Sequence, residues 1–197
     1  MLNSIEYLKI SNGKDLEGPI LIKNSIFSDS RGTFFESWNK FDFNKILDKE
    51  INFVQDNISF SSKGVLRGLH FQLQPFQQSK LVRCINGSIY DVVVDIRSSS
   101  PTFGKWSGVF LDDQNNYQLW IPEGFAHGFI AKTNQAKILY KVTNPWMKSY
   151  ERCLLWRDQD INVSWPMNNI NGSFPIISEK DKLGKTLKYL VDNNEVF

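Results

Sequence analysis

The sequence predicts an all-β protein, a sandwich or barrel with short helices at its periphery, and three observations carry that expectation. Aromatic residues make up 14% of the 197 residues, with 15 Phe and 6 Trp against few alanines, which suits pleated, half-buried surfaces better than helix bundles. From residue 53 to residue 143 short β-branched or aromatic runs recur about every ten residues with turn residues between them, the rhythm of a sandwich or barrel. Asn86-Gly87, inside "KLVRCINGSIYDVVVDIR", has the residue preference of a type I′ turn and predicts a hairpin of the two flanking runs.

The elements follow in order. The N-terminal "MLNSIEYLKISNGKDLEG" alternates apolar and charged residues and lacks the uninterrupted apolar core of a signal peptide. No window approaches the roughly 18 apolar residues of a membrane span, so the expectation is a cytosolic protein without membrane contact. "NKFDFNKILDKE", residues 39 to 50, spaces Phe41, Phe43, Ile46 and Leu47 as a short helix would. The runs "WSGVFL", "YQLWIP", "GFAHGFIA" and "AKILYKVT" continue the strands, with "DDQNN" and "KTNQ" as polar turns. Near the C-terminus, "SEKDKLGKTLKYLVDN" offers Ser178 as a cap and Leu183, Leu187 and Leu190 at helical spacing, which predicts one capped helix. Without repeats or linker-like stretches the chain reads as one domain, residues 1–197. Its β core spans about residues 20–166, followed by a C-terminal extension of about residues 167–197.

Composition excludes several function classes. A formal net charge of +2 with dispersed Lys and Arg gives no basic face for nucleic acid. Cys84 and Cys153 are far apart and outside any CxxC pair, which fits reduced thiols rather than a disulfide or zinc frame.

The candidate chemistry gathers around the two histidines. His70, in "GVLRGLHFQ", and His127, in "IPEGFAHGF", sit in similar settings of glycine and Phe at strand runs. Either alone is as readily a hydrogen-bonded core residue, but two inward-facing strands of one barrel would bring both rings to one cavity. "PEGFAH" has the Pro-x-Gly-x-x-His spacing of metal-binding cupins, yet His70-Phe71-Gln72 stands where those proteins carry His-x-His, and two histidines fall short of a zinc or iron ligand set. The expectation is a pocket with neither metal nor cofactor. There a histidine serves as a general base oriented by a carboxylate, for which Asp56, Asp158 and Asp181 are candidates that spacing does not separate. Lys80 opens a strand run where an inward ammonium could steady an oxyanion, although a surface lysine is the plainer reading. Tyr140 alternates with Ile138 and Val142 on one strand face and could return a proton opposite the base, or simply pack as an aromatic. Arg31 and Arg67 carry guanidinium forks suited to phosphate.

Taken together, "DSRGTFFESW", "VQDNISFSSKGVLRGLHFQ", "QSKLVRCINGSIYDVVVDIRSSSPTFGKW", "IPEGFAHGF", "ILYKVT", "DQDINVSWP" and "ISEKD" resemble the dTDP-4-dehydrorhamnose 3,5-epimerase family from about residue 19 to about residue 181. The resemblance implies a cupin-type jelly-roll barrel and an isomerase of deoxysugar precursor synthesis. Its reaction would invert C3 and/or C5 of a dTDP-linked 4-keto-6-deoxyhexose. It implies His70 as base, Asp181 as its dyad partner, Lys80 beside the keto oxygen and Tyr140 as the opposing acid. His127 is implied as a second pocket histidine; Arg67, Gln55 and Asn57 would line the sugar and pyrophosphate. Arg31, Phe34 and Glu36 match a segment that holds the thymidine across a homodimer. Two departures stand out: Trp146 replaces the usual tyrosine six positions after Tyr140, and Gln159 a usual proline. Because Trp146 would border the sugar, a single-carbon epimerase or a ketoisomerase on a related sugar nucleotide is an alternative, as is a silent sugar-nucleotide-binding cupin.

Overall fold

The strand rhythm resolves into two antiparallel sheets in a computed structural model, which describes residues 2–168 and 174–197. Residues 169–173 of the predicted C-terminal extension lie outside the described residues. The strands are β1 (Leu2–Lys9), β2 (Asp15–Asn24), β3 (Phe27–Asp29), β4 (Gly32–Phe34), β5 (Gln55–Ser61), β6 (Leu66–Gln72), β7 (Lys80–Asn86), β8 (Ser88–Asp95), β9 (Trp106–Asp112), β10 (Gln118–Ile121), β11 (Phe125–Ala131), β12 (Ala136–Val142) and β13 (Glu151–Cys153). One sheet runs β1-β2-β10-β7-β12-β5 and the other β13-β6-β11-β8-β9, while β3 and β4 form a separate small hairpin. Among the described residues no helix is long and apolar enough to cross a membrane.

Inward-facing residues of both sheets, including Leu21, Val82, Leu119 and Ile138 from the first and Ile89, Val93, Leu111 and Phe129 from the second, form the central core. The second sheet is covered on its outer face too. Leu66, Leu69, Val92, Val94 and Ile130 pack there against Leu154, Ile161, Trp165, Leu187 and Leu190 from the C-terminal segment. Burial on both faces explains why β11 is buried along its entire length and why "VVVD" in β8 shows no alternation.

Helix α1 (Lys40–Leu47) occupies the predicted stretch. The Asn39 side chain accepts the backbone N–H groups of Phe41 and Asp42, and Asp48 ends the helix in a left-handed conformation. Phe43 buries itself against Trp120, Ile20 and Ile22 on the outer face of the first sheet, whereas Phe41 points to solvent.

Two expectations are corrected. Asn86-Gly87 does not close a hairpin. β7 pairs with β10 and β12, and β8 with β9 and β11, so the turn carries the chain from one sheet to the other. Gly87 alone of the pair takes a positive φ, its N–H donates to Asp113, and Ser88 donates to the Thr133 hydroxyl, contacts that turn the corner instead of a ladder. The C-terminal helix is two short helices, α2 (Glu179–Lys182) capped by Ser178 and α3 (Leu187–Asp192) capped by Thr186. Between them Lys185 exchanges backbone hydrogen bonds with Cys153 and Leu155, which docks the segment on the sheet and interrupts the helix.

Candidate active site

The site starts where β6 and β11 lie closest. His70 on β6 sits directly opposite His127 on β11, followed by an irregularity before Phe129. Gly68 adopts a φ of +128°, and a Cβ there would lie 2.5 Å from the Gly128 Cα. The glycines flanking each histidine therefore serve backbone approach, and the displaced Gly68 N–H turns to donate to Asp181 Oδ2 at 3.3 Å.

Each histidine is backed by its own carboxylate. His70 Nε2 lies 2.6 Å from Asp181 Oδ1, joining β6 to α2 across 111 residues of sequence. Asp181 is 2% exposed while the His70 side chain is 25% exposed toward the cavity. Burial pushes the Asp181 carboxyl up, but the hydrogen bond and charge of His70, together with the Gly68 N–H, outweigh it and hold it below the usual carboxylate range. The other two candidate acids do different work. Asp56 pairs with Lys141 at the surface, and Asp158 accepts the N–H groups of Asp160, Ile161 and Leu187.

His127 Nε2 lies 2.8 Å from Asp91 Oδ1. Burial lowers the His127 pKa, against the raising influence of Asp91, so its ring stays neutral at ordinary pH. Asp91 was not foreseen. Its signal was an acid placed inside the apolar run "SIYDVVVD", where a fully buried carboxylate requires a partner.

Lys80, at the start of β7, is buried and donates to the His70 carbonyl at 3.2 Å. Desolvation lowers its pKa to about 8, with Asp91 and Glu151 pulling the other way. Tyr140 on β12 is half-buried, and the same burial raises its phenol, which therefore keeps its proton. His70, His127, Lys80, Tyr140, Arg67 and Trp146 line one cavity of about 230 Å³. Glu151 and Lys180, an ion pair at 2.8 Å, complete its wall and were also missed, because nothing in their spacing ties β13 and α2 to β6.

The remaining predicted residues divide in two. Arg67 donates to the Ser61 hydroxyl at 3.1 Å. Gln55 joins the Asn57 amide at 2.7 Å and accepts the Trp146 N–H, so the pair holds the half-exposed Trp146 at the rim without lining the cavity itself. Arg31, Phe34 and Glu36 stay outside the cavity within this chain. Arg31 pairs with Asp29 on the β3–β4 hairpin, Phe34 is 73% exposed there, and Glu36 accepts from Asn39 at the start of α1. Among the described residues, His70, Cys153 and Asp181 bring three ligand-type atoms within 4.8 Å of one another, the one such grouping.

A two-sheet β-barrel of cupin-like fold gathers an imidazole backed by a carboxylate, an ammonium and a phenol at one cavity, groups capable of acid–base chemistry. The sequence model for dTDP-4-dehydrorhamnose 3,5-epimerase matches residues 14–189. A curated dTDP-4-dehydrorhamnose 3,5-epimerase from Shigella flexneri is 51% identical over 166 residues, 84% of this chain and 89% of that protein. Among solved structures, an epimerase from Mycobacterium tuberculosis superposes with a TM-score of 0.89 at 37% identity, covering 93% of this chain and 90% of that one. The dTDP-6-deoxy-D-glucose-3,5-epimerase of Legionella pneumophila, solved with dTDP-4-keto-L-rhamnose, gives 0.87 at 38% identity over 98% and 97%. The chain belongs to the dTDP-4-dehydrorhamnose 3,5-epimerase family, a family of isomerases.

Proposed function

We propose that this protein inverts C3 and C5 of a dTDP-linked 4-keto-6-deoxyhexose through an enolate. The observation that carries the reading is the convergence of His70–Asp181, Lys80 and Tyr140 on one cavity. The C4 ketone acidifies the neighbouring C–H bonds. His70, its Nε2–H given to Asp181, offers its other nitrogen as the acceptor and takes the proton from carbon while the electron pair moves onto the C4 oxygen. Lys80 steadies that oxyanion in a site where its charge is poorly screened. Tyr140 returns a proton to carbon from the other face as the electron pair comes back. Between inversions His70 gives its proton up to solvent and Tyr140 takes one back, which resets the pair, and the sum balances without metal or redox cofactor.

A cavity of about 230 Å³ is smaller than the roughly 300–1,000 Å³ of pockets that hold a drug-sized ligand, so it suits the sugar ring alone. The pyrophosphate then lies toward Arg67 and the rim near Gln55 and Asn57. Arg31, Phe34 and Glu36 lie outside the cavity of their own chain, and in this reading they hold the nucleoside in a partner's site within a homodimer. Free Cys84 and Cys153 accord with the reducing cytosol.

Incubation with dTDP-4-keto-6-deoxyglucose in deuterium oxide, read by NMR and mass, tests the reaction. Deuterium at both C3 and C5 is expected. Label at one carbon would instead favour the single-carbon reading that Trp146 at the rim suggests. Absence of label alongside nucleotide binding would leave only a silent binding protein. His70→Asn is expected to bind dTDP yet lose exchange by about 10²–10⁴-fold, and normal exchange would remove it as the base.

A further inference from the structure

Cys153 lies beside the base and has no part in the proposed reaction. On β13 it pairs in register with His70, and its Sγ stands 4.0 Å from Asp181 Oδ1. One ligand atom from each of His70, Cys153 and Asp181 falls within 4.8 Å of the other two. Imidazole, thiolate and carboxylate form a zinc-type donor set, and three protein ligands leaving a fourth position for water is an arrangement that zinc adopts in proteins. Ligand atoms around tetrahedral zinc sit about 3.3 Å apart, so the 2.6 Å pair of His70 and Asp181 would have to part by less than about 1 Å. A hollow of about 350 Å³ lined by Glu151, Cys153, Lys180, Lys185 and Glu195 reaches the Cys153 thiol from the C-terminal side, and Glu151 and Lys180 wall both it and the sugar cavity.

We propose that His70, Cys153 and Asp181 form an inhibitory site for a thiophilic divalent cation, with Zn²⁺ the fitting ion, whose binding switches the base off. The ion replaces the Nε2–Asp181 hydrogen bond and displaces the thiol proton to solvent. A neutral imidazole carries one N–H. With Nε2 on the metal that hydrogen moves to Nδ1, and the nitrogen that would accept the sugar's proton becomes a donor. The ion therefore silences the site without filling the sugar cavity.

Cobalt reports on the site independently of turnover, because thiolate ligation gives Co²⁺ a charge-transfer band in the near ultraviolet. Co²⁺ titrated into the full-length protein is expected to give that band, and Zn²⁺ to abolish it. Cys153→Ala should lose the band, keep its exchange rate and need at least about tenfold more Zn²⁺ for half-inhibition, with chelator restoring the wild type. Cys84→Ala leaves Cys153 as the sole thiol and should keep the band, which secures the test should Cys153→Ala not fold. A band that survives Cys153→Ala, one lost in Cys84→Ala, or equal zinc sensitivity of wild type and Cys153→Ala overturns the proposal. The switch rests on His70 as base, whereas the site does not. A cysteine-dependent band with undiminished exchange would therefore overturn the switch through His70's role, and a missing band would overturn the site itself.

Discussion

Lys80 is costly to keep where it is. Its folded pKa of about 8 lies below the 10.5 of an exposed lysine, a difference worth about 3 kcal/mol against the folded state. Because the folded value is the lower one, that penalty is present in full below pH 8 and is relieved as pH rises toward the unfolded value. Lys80→Met is thus expected to stabilise the protein at pH 7 by about 1–3 kcal/mol in urea unfolding while slowing deuterium exchange by about 10²–10³-fold. In the wild type, exchange should decline on the alkaline side through about pH 8 as the ammonium loses its charge. A rate that holds level well above that pH would show the charge to be dispensable. Asp181 titrates the other way. Its carboxyl is held low, so its stabilising contribution is present above the unfolded value and lost only as pH falls below the ordinary carboxylate range. Asp181→Asn, measured in the same exchange assay, should slow turnover by about 10–100-fold through a misoriented ring. The histidines, Lys80 and Tyr140 stood out in the sequence as polar groups on apolar strands, but their spacing left each a plainer structural reading, and only the family resemblance gave them roles. Asp91 was not legible as a site residue, since one acid among valines announces its burial but not its partner.

At the scale of elements, turn chemistry proved ambiguous. Asn-Gly reports that the backbone needs a positive φ, which a corner between sheets satisfies as well as a hairpin does. Strand positions were readable from β-branched and aromatic runs, whereas strand partners were not, because pairing depends on which edges other strands have already taken. The C-terminal leucines carried helical spacing, yet the docking of Lys185 onto β13 and Leu155 interrupts them. The β6–β11 approach supplies the sharpest test at this level. Gly68→Ala sets a methyl 2.5 Å from the Gly128 Cα at a φ that L residues rarely adopt, and is expected to cost about 2–5 kcal/mol in denaturant unfolding. Stability within about 0.5 kcal/mol of wild type would mean that the two strands have room to part.

The molecule as a whole places its proposed nucleoside grip and its proposed base in different regions of one chain. The β3–β4 hairpin with exposed Phe34 is apart from the cavity that His70 lines. If each hairpin serves the partner's cavity, as the proposed two-fold dimer requires, His70→Asn and a Phe34→Ala/Arg31→Ala double variant are each impaired alone. Unfolded and refolded together, they should yield mixed dimers with one intact site and recover activity that neither parent has. No recovery, in a sample that sedimentation shows to be dimeric, would place both functions in the same subunit. The proposed division comes only from the family resemblance, because composition and spacing describe a single chain. The tie between His70 and Asp181 has a consequence in time as well as space. The imidazole leaves the ribosome 111 residues before the carboxylate that orients it, so the strands can take shape around a ring that still lacks its counterpart. A nascent or proteolytically clipped chain ending before α2 would carry the cavity's strands without the carboxylate that orients the base, and the rise to full activity would mark the moment the tail is secured.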